Sequence, residues 1–431
     1  MLDKKIKKNK EIVGIFGLGY IGLPLALNFS KKLKVYGFDI DKEKIKKLSK
    51  GQSYLSNIDS KEILKAKKNG FSVTSNFSLV KKLDVIIICV PTPLTYSRKP
   101  DLTFIKNTID SMMPYLKKYQ LISLESTTYP GTTNEIILPR LKKKGFSVGS
   151  DFYLSFSPER LDPGMKKIAI NNIPKITSGI TKKCLSLSSK IYKKAYKKII
   201  KISSTQAAET TKLLENVYRA VNIGLVNELK IFTDKMGLDI KEIIDAAATK
   251  PFGYTPFYPG PGLGGHCIPI DPYYLAWKAN KIGVKTKFIK HAGEVNSSIP
   301  YLIVKKIVKL LKKSKKKKPK ILLLGIAYKK NINDLRESPG IKIIDLLIKK
   351  QFNVYFSDPY IKKIPKLRNY NFKIKRVNIN SKTLKKFDLI VLSTDHDNFN
   401  YKLIYNNSSL ILDTRNAFKE DKKNKVIQSY S

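Results

Sequence analysis

Cysteine is scarce in this sequence: its 431 residues include only Cys89, Cys184 and Cys267, and no two of them have a paired spacing. The shortage argues against a disulfide framework and against a zinc-binding motif, and it favours a reducing cytoplasm. Long apolar runs are missing too, so no segment is predicted to span a bilayer. Residues 4–29 begin basic and continue apolar, but no small-residue cleavage site follows them, so we predict no secretory signal.

Acidic residues are also few, with 34 Asp and Glu against 83 Lys and Arg, and the formal net charge is +49. Such a charge suggests nucleic acid, an anionic membrane or a polyanionic substrate as a partner. The lysines, however, are spread along the whole chain in short runs on predicted helix surfaces, which is typical of solvated faces. Ile, Asn and Tyr are abundant as well, and their codons, like those of Lys, are rich in A and T. We therefore expect neither nucleic acid nor a membrane as partner, while a phosphate-bearing substrate stays compatible.

A chain of this length with 42% hydrophobic residues predicts a globular protein of two or three domains. An apolar, β-forming run at residues 12–19 contains the start of Gly17-x-Gly19-x-x-Gly22, which leads into an apolar helix ending near residue 30. This is the dinucleotide fingerprint in its strand, turn and helix setting. Gly17 permits the tight turn, Gly19 lets the backbone reach a pyrophosphate, and Gly22 allows close helix packing.

A second strand, predicted at residues 35–40, carries Asp39 at its end, 17 residues after Gly22. A carboxylate there accepts hydrogen bonds from ribose hydroxyls and repels a 2′-phosphate, so it favours NAD. The alternative is that Asp39 caps the next helix, a role for which Asp41 is better placed.

Further strands are predicted at residues 83–90, 121–127 and 152–157, with Cys89 in the core. They end in Pro91-Thr92-Pro93, in Glu125-Ser126-Thr127 and in Ser157-Pro158-Glu159-Arg160. Because ligands bind at the carboxyl edge of such sheets, we expect hydroxyls and a carboxylate to face one crevice. Strands near residues 173–180 and 198–203 are expected to complete the sheet.

A long helix is predicted from residue 203 to about residue 235, with shorter helices at 240–248 and 301–313. Glu209, Lys212 and Asn216 lie on one face of the long helix. Lys212 and Asn216 could hold a substrate oxygen or a water there, and a solvated face is the equal alternative. The same helix offers a surface for dimer packing.

The loop at residues 260–272 is dense in glycine and proline and contains Cys267. Asp271 and Pro272 predict an N-cap and first turn for a helix at residues 273–280, which would place Cys267 just ahead of a helix N-terminus. The positive end of the helix dipole favours a thiolate, so Cys267 is a candidate nucleophile. A buried loop cysteine beside an ordinary cap is the alternative.

After a basic linker at residues 312–319, a second α/β unit is predicted, with strands at 320–324, 353–357, 387–393 and 410–412 and a helix at 340–350. It lacks the glycine fingerprint, so we expect no second dinucleotide. The polar loop after its first strand carries Lys329 and Arg336, and Arg415 follows the last strand. These cations suit a diphosphate.

With the fingerprint, the cysteine loop and Asp334-Leu335-Arg336-Glu337-Ser338-Pro339 in order, the chain resembles the UDP-glucose/GDP-mannose dehydrogenase family over essentially its full length. Within that family, the loop at residues 258–269 is most similar to UDP-N-acetylglucosamine 6-dehydrogenases. The resemblance implies two Rossmann-like doubly wound α/β domains joined by a central long-helix dimerisation region. We expect a NAD-binding domain at residues 1–204, a central helical domain at 205–312 and a UDP-sugar-binding domain at 319–431.

The resemblance implies a four-electron oxidation of the sugar C6 alcohol to a carboxylate with two NAD in succession. Cys267 would attack the C6 aldehyde to give a thiohemiacetal and then a thioester. Lys212 would stabilise the oxyanion, Asp271 would position water and move protons, and Thr127 and Asn216 would hold the water. Glu159 matches the first acid of the family's loop.

The resemblance also implies the binding residues. Those expected at NAD are Gly17, Gly19, Tyr20, Ile21, Gly22, Asp39, Lys44, Thr92, Thr127 and Arg336. Those expected at the UDP-sugar are Glu159, Arg160, Lys212, Asn216, Tyr258, Gly264, Lys329 and Arg415. No metal is expected, and the protein is expected to be a homodimer through its central helix.

Two departures from the family pattern stand out. Pro163 occupies the position of a second loop glutamate in the UDP-glucose enzymes, and His266 precedes the nucleophile, where we expect a structural or sugar-contact role. Two other functions are considered: a two-electron hydroxy-acid dehydrogenase, which needs no cysteine, and a basic nucleic-acid-binding protein, suggested by charge alone.

Overall fold

A computed structural model of the chain describes residues 1–55, 58–95, 97–160, 170–265, 268–312, 318–418, 421–422 and 424–428. They form two compact units, the first made of residues 1–215 and 273–285 and the second of residues 216–272 and 286–431. Within the described ranges, none of the helices combines the length and the apolar character that a membrane crossing needs.

The described strands follow the chain as β1 (Ile12–Phe16), β2 (Lys34–Phe38), β3 (Phe71–Thr74), β4 (Val85–Ile88), β5 (Leu121–Leu124), β6 (Tyr153–Phe156), β7 (Lys175–Thr177), β8 (Ile199–Lys201), β9 (Lys320–Leu324), β10 (Asn353–Ser357), β11 (Leu389–Leu392), β12 (Ile411–Asp413) and β13 (Val426–Ile427). The described α-helices are α1 (Leu2–Lys7), α2 (Gly22–Phe29), α3 (Lys42–Ser49), α4 (Ser60–Lys68), α5 (Thr103–Met112), α6 (Leu138–Lys143), α7 (Lys182–Tyr192), α8 (Thr205–Met236), α9 (Ile240–Ala247), α10 (Asp271–Lys281), α11 (Lys287–Leu311), α12 (Pro339–Lys349), α13 (Ser381–Leu384) and α14 (Tyr401–Asn407).

The first unit is organised around a parallel sheet in the order β3-β2-β1-β4-β5-β6. Its central strands are short, largely apolar runs with every residue of β4 and β5 buried, as expected where helices cover both faces of a sheet. In register, Val13 lies opposite Val35 on one side and Val85 on the other. The predicted strands from residues 12–19 through 152–157 all belong to this sheet.

The prediction that residues 173–180 and 198–203 complete this sheet is wrong, because β7 and β8 pair only with each other in a separate two-stranded sheet. Past β7, the chain does bond to β6: the N–H of Ser178 donates to Phe156 O at 3.0 Å, and that of Ile180 to Leu154 O at 3.1 Å. The next partner along that antiparallel run would be Pro158, which has no N–H to donate. The hydrogen bonds to β6 are therefore confined to the residues that follow β7 and do not include β7 itself.

The second unit contains a parallel sheet in the order β10-β9-β11-β12-β13. The four strands predicted here are confirmed, and the short β13 at the edge was not predicted. Apolar side chains of β9, β11 and α12 pack into one core with α11. A second cluster covers the other face through β9, β11, β12 and α14.

Helix α11 corrects the prediction of a helix at residues 301–313, since it begins at Lys287 and runs through Pro300 to Leu311. Proline usually breaks a helix because it lacks an N–H and crowds the preceding turn. Here the buried positions continue on one face across it, with Asn296 and Ile299 before Pro300 and Ile303 and Val304 after it. Burial of that continuous stripe offsets the cost of the proline.

The long central helix is confirmed as α8, which spans 32 residues. Helix α10 starts at Asp271, so this residue opens the helix and does not precede it as predicted. The fold class, two Rossmann-like parallel α/β sheets with a long central helix, is confirmed.

Candidate active site

The turn after β1 passes so close to its neighbours at two positions that only glycine fits. Gly17 has φ +91°, donates its N–H to Phe38 O at 2.8 Å, and a Cβ there would lie 2.7 Å from Cys89 O. A Cβ at Gly22 would lie 1.9 Å from Gly17 O. At Gly19, by contrast, a Cβ would meet no atom within 4 Å. The turn is tight at its two ends and open in the middle.

Asp39 lies beside this turn at the end of β2. Its Oδ2 accepts a hydrogen bond from Leu18 N at 2.9 Å and lies 3.3 Å from Lys44 Nζ. Asp41 caps α3 by accepting from Glu43 N and Lys44 N, so the prediction that Asp41 is the cap is confirmed. Asp39 therefore does not cap α3, and its carboxylate lies beside the turn after β1.

These features fit a dinucleotide. The open side of Gly19 lies ahead of α2, whose N-terminal N–H groups attract a pyrophosphate, and the Asp39 carboxylate lies where ribose hydroxyls would donate to it. Ile21 is the N-cap residue of α2, and Tyr20 packs against the core. Thr92 follows β4 and is buried, while Thr127 follows β5 and is half-buried.

Glu159, after β6, lies in a buried charged cluster. Lys175 Nζ lies 3.2 Å from Glu159 Oε2 and 2.7 Å from Glu125 Oε2, and all three side chains are at most 4% exposed. Glu159 Oε1 accepts from Arg160 N at 2.7 Å. Glu125 and Glu159 therefore both point into a buried cluster, whereas the sequence predicted that a carboxylate at these strand ends faces a crevice.

Two tyrosines complete the cluster. Tyr192 donates to Glu125 Oε1 at 2.6 Å, Tyr196 donates to Glu159 Oε2 at 3.4 Å, and Lys175 Nζ lies 5.2 Å from the centroid of each ring. Burial raises the pKa of Glu125 to about 7 against the opposing attraction of Lys175. Burial also raises the pKa values of Tyr192, Tyr196 and Cys89, so all three stay protonated.

On α8, Glu209 is bonded to the turn after β5. Its carboxylate accepts from Gly131 N at 2.5 Å and from both the N–H and the hydroxyl of Thr133, at 2.9 and 2.7 Å. Glu209 therefore ties α8 to the turn after β5, and burial raises its pKa to about 7. Lys212 is buried.

Both terminal nitrogens of the Arg160 guanidinium bind residues of the first unit. Nη2 lies 2.7 Å from Glu215 Oε1, and Nη1 donates to Pro174 O at 3.0 Å. These two contacts fix the Arg160 guanidinium, and Arg160 directly follows Glu159 in the chain.

In the second unit, two predicted catalytic residues meet: Asn216 Nδ2 donates to Asp271 Oδ2. Both side chains are buried. They are 55 residues apart in sequence, one on α8 and the other at the first position of α10.

The glycine-rich loop that begins at Gly260 contacts two regions of this unit in which binding cations were predicted. A Cβ at Gly260 would lie 2.7 Å from Arg415 Nη1, and one at Gly264 would lie 2.6 Å from Cβ of Tyr328. Gly265 donates its N–H to Arg336 O at 2.9 Å. The structure thus packs the loop against the polar segment after β9 and against Arg415.

The side chains of that polar segment are ordered by acids. Arg336 binds Asp334 through Nε and Nη2 at 2.9 and 2.6 Å, and Lys330 Nζ lies 2.6 Å from Asp397 Oδ1. Lys329 is half-buried. Tyr258, expected at the sugar, is exposed and donates to Asp245 at 2.7 Å, and no contact places it beside the other substrate candidates among the residues described.

Cys267 and His266 lie outside the described residues, as does Pro163. The sequence interpretation missed Lys175 and His396. Lys175 stands in a short apolar strand, where a lysine signals a buried ion pair, and His396 follows β11 at the carboxyl edge where ligand-binding side chains gather.

Comparison with known proteins agrees with this architecture. The chain matches models of the UDP-glucose/GDP-mannose dehydrogenase family: the NAD binding domain over residues 11–196, the central domain over 206–298 and the UDP binding domain over 322–420. A UDP-N-acetyl-D-glucosamine 6-dehydrogenase of Pseudomonas aeruginosa is 38% identical over 76% of this chain and 77% of its own. A UDP-N-acetyl-D-mannosamine dehydrogenase of Methanocaldococcus jannaschii is 33% identical over 97% of this chain and 95% of its own.

The solved structure of the UDP-D-ManNAc dehydrogenase from Pyrococcus horikoshii matches with a TM-score of 0.85 at 30% identity, covering 97% of this chain and 99% of that one. Both sequence relatives named above are matched over more than three quarters of their own length. The chain therefore belongs to the UDP-glucose/GDP-mannose dehydrogenase family and is an NAD-dependent nucleotide-sugar dehydrogenase.

Proposed function

We propose that the enzyme oxidises the C6 alcohol of a UDP-N-acetylhexosamine, with UDP-N-acetylglucosamine as first choice, to the uronate. The proposal is supported by relatives named as UDP-N-acetyl-D-glucosamine 6-dehydrogenase and UDP-N-acetyl-D-mannosamine dehydrogenase. UDP-N-acetylmannosamine, UDP-N-acetylgalactosamine and UDP-glucose are the alternative substrates. A cytoplasmic enzyme built from a NAD domain, a central helical domain and a UDP domain is part of the same proposal.

The observation that carries the proposal is the hydrogen bond from Asn216 to Asp271. Two residues to which the family resemblance assigns catalytic roles, one for holding water and one for moving protons, are in contact within one unit. A buried amide that donates to a carboxylate leaves the acid able to accept a proton from a water molecule. This arrangement supports a hydrolytic step, which a two-electron dehydrogenase does not need.

In the proposed mechanism, the turn at Gly17, Gly19 and Gly22 and the Asp39 carboxylate would hold NAD, which would supply the hydride acceptor for two successive oxidations at C6. The first step converts the alcohol to an aldehyde and releases one proton. The Cys267 thiolate then adds to the aldehyde carbon, and Lys212 stabilises the resulting oxyanion. Loss of the second hydride gives a thioester on Cys267.

Water then attacks the thioester carbonyl, which releases the carboxylate and restores the thiol. Asp271 and Asn216 orient this water and Asp271 takes its proton, with Thr127 as a further hydrogen-bonding group. Glu159 accepts, through water, the proton that the first oxidation step releases, since the carboxylate itself is buried. The UDP portion is bound by cations near the polar segment after β9, with Lys329 and Arg415 as ligands and Gly264 allowing close approach.

We also propose a homodimer through α8. Large apolar side chains recur on one side of this helix at helical spacing and are exposed: Tyr218 51%, Leu225 55%, Leu229 41%, Phe232 57% and Met236 61%. Such a continuous apolar stripe supports packing against a second copy. Leu225→Lys and Phe232→Lys should convert dimer to monomer in sedimentation equilibrium, whereas Lys235→Glu, at an exposed polar position of α8, should not. A wild-type monomer would contradict this part of the proposal.

The function is tested by incubating the purified enzyme with NAD and each of UDP-N-acetylglucosamine, its galacto and manno isomers, and UDP-glucose. We expect the highest kcat/KM with UDP-N-acetylglucosamine and two NADH for each uronate formed. One NADH for each sugar, with an aldehyde product, would refute the four-electron reaction. Preference for another of these sugars would refute the choice of substrate alone.

A further inference from the structure

The buried cluster around Lys175 contains two carboxylates and one ammonium group, and only Glu159 has a role in the reaction proposed above. Its members come from separate elements: Glu125 follows β5, Glu159 follows β6, and Lys175 opens β7. Such a cluster is expensive to bury unless each charge is paired. Lys175 meets that requirement by bridging both acids.

The geometry fixes the Glu159 carboxylate from both oxygens. Oε1 accepts from Arg160 N at 2.7 Å, while Oε2 faces Lys175 Nζ at 3.2 Å and the Tyr196 hydroxyl at 3.4 Å. Lys175 cannot swing away, because Glu125 holds it at 2.7 Å and two tyrosine rings flank it. Glu125 is in turn held by the Tyr192 hydroxyl.

We propose that Lys175 and Glu125 are positioning residues that fix the orientation and the charge of Glu159 for the dehydrogenase reaction. This inference rests on the proposed function, in which Glu159 takes part in proton movement. Neither Lys175 nor Glu125 needs to touch the substrate, since both act through the Glu159 carboxylate.

The shared ammonium gives the two acids different effects. Lys175 favours the charged form of Glu159, so its removal should make Glu159 harder to ionise. Glu125 competes for the same ammonium, and its own pKa, raised to about 7 by burial, means that it changes charge near neutral pH. The two acids titrate as a coupled pair. When Glu125 is protonated, the Lys175 ammonium is attracted to the Glu159 carboxylate alone.

Among the residues that the structure describes, the titratable groups facing the cluster are its three charged members together with Tyr192, Tyr196 and Cys89, and burial keeps these last three protonated. A change of activity near neutral pH that depends on Glu125 therefore reports on the two acids. An ordinary structural ion pair predicts something else: its loss lowers stability and the amount of folded enzyme but leaves the pH profile of the folded fraction unchanged.

The experiment compares kcat against pH for the full-length wild type, Glu125→Gln and Lys175→Met. Gln keeps the shape of Glu125 and can still accept from Tyr192. We expect Glu125→Gln to lose an inflection near pH 7, and Lys175→Met to move the acidic limb of kcat upward by about one pH unit or more, with KM for NAD unchanged. Lys5→Met, which removes a lysine paired with Asp84 in the same unit, is the matched control and should keep the wild-type profile.

A profile that keeps its shape in Glu125→Gln, or a limb that does not rise in Lys175→Met, would overturn the proposal. Should Lys175→Met fail to fold, Glu125→Gln alone decides. A second readout does not need turnover: NMR titration of 13C-labelled glutamate carboxyls, assigned with Glu159→Gln, should show a raised Glu159 pKa in Lys175→Met and, in Glu125→Gln, loss of its second inflection.

This second readout separates the two possible failures. A wild type that oxidises no UDP-sugar would refute the proposed function, while the NMR titration would still report on the hold of Lys175 over Glu159. Activity with unchanged Glu159 titration in both variants would refute the positioning roles alone.

Discussion

The turns after the first strands of the two sheets are built alike. Gly17 and Gly325 have φ of +91° and +71°, and each donates its N–H to the last residue of the neighbouring strand, at 2.8 Å to Phe38 O and 2.9 Å to Ser357 O. An aspartate directly follows each neighbouring strand and accepts backbone N–H groups of the turn. Asp39 accepts from Leu18, and its counterpart Asp358 accepts from Ile326 and Ala327.

The two turns differ in what lies beside the aspartate. Asp39 is paired with Lys44 next to the open space at Gly19. Asp358 is fully buried against His396, whose Nε2 lies 3.1 Å from Oδ2, and the Tyr360 ring lies 5.0 Å from that of His396. At the second turn, side chains that follow β10 and β11 therefore lie beside the aspartate. A parallel strand and turn do not suffice for a dinucleotide site; the space in front of them must also be empty.

His396 also reaches the polar segment that carries Lys329. Its Nδ1 accepts from Asn331 N at 2.9 Å, so the proton lies on Nε2 and is donated to Asp358. Burial pushes the pKa of Asp358 upward, but His396 and the surrounding N–H groups outweigh it and lower the pKa of this carboxyl below its usual value. Side chains beside the second turn thus hold a loop proposed for the sugar nucleotide.

The largest effect is expected from Asp358→Asn, which disrupts the second turn. One carboxylate oxygen accepts from Ile326 and Ala327 and the other from Tyr360 and Ile361, so an amide NH2 group would face donors wherever it points. We expect a loss of about 3 kcal/mol in the free energy of unfolding of the second unit. Denaturant unfolding measures this loss. In binding titrations, UDP affinity should weaken and NAD affinity should stay unchanged; an equal loss of both affinities would contradict the comparison.

The pH dependence of stability should differ between the two regions. Glu209 in the first unit has a folded pKa of about 7 against 4.5 in the unfolded chain, so the folded state binds more protons between these values and loses stability as pH rises through them, by about 3 kcal/mol. Asp358 has a lowered pKa, so its contribution is present above pH 3.8 and is lost as pH falls below it.

Glu209→Gln tests the first half of this difference. Denaturant unfolding between pH 4.5 and 7 should show a shallower fall in stability than in the wild type, although the variant loses part of the hydrogen bonding to Gly131 and Thr133 at every pH. An unchanged slope would show that Glu209 is not protonated in the folded protein near neutrality.

A smaller effect, confined to binding, is expected from Gly19→Ala. The added methyl group meets nothing within 4 Å, so the melting temperature should stay as in the wild type. It would hold a pyrophosphate away from the backbone N–H groups, and NAD affinity should fall by roughly tenfold or more. Fluorescence titration measures this, with UDP affinity as the control. Unchanged NAD affinity would mean that the open side of the turn is not the pyrophosphate site.

The smallest effect is expected from Asp39→Ser. Loss of a charged acceptor for the ribose should weaken NAD by about tenfold and reduce discrimination against NADP. The ratio of kcat/KM for the two cofactors measures this. An unchanged ratio would remove Asp39 from the cofactor site.

Local patterns predicted much of this. The glycine fingerprint, the apolar strands and the Asp41 cap depend on residues close in sequence, and both sheets follow from them. The roles of Glu209 and Lys175 depend on partners 76 and 50 residues away, so helix periodicity did not reveal that Glu209 bonds to the turn after β5, and strand pattern gave no partner for Lys175. Helix α11 runs through Pro300 because burial of one continuous face of the helix in the core stabilises it, and the helix propensities of the local residues do not predict this burial.

The central claim is that only the first turn accepts a dinucleotide. Calorimetric titration of the full chain with NAD, in the presence of saturating UDP, tests it most directly. We predict one NAD bound for each chain, whereas two NAD sites for each chain would contradict the account.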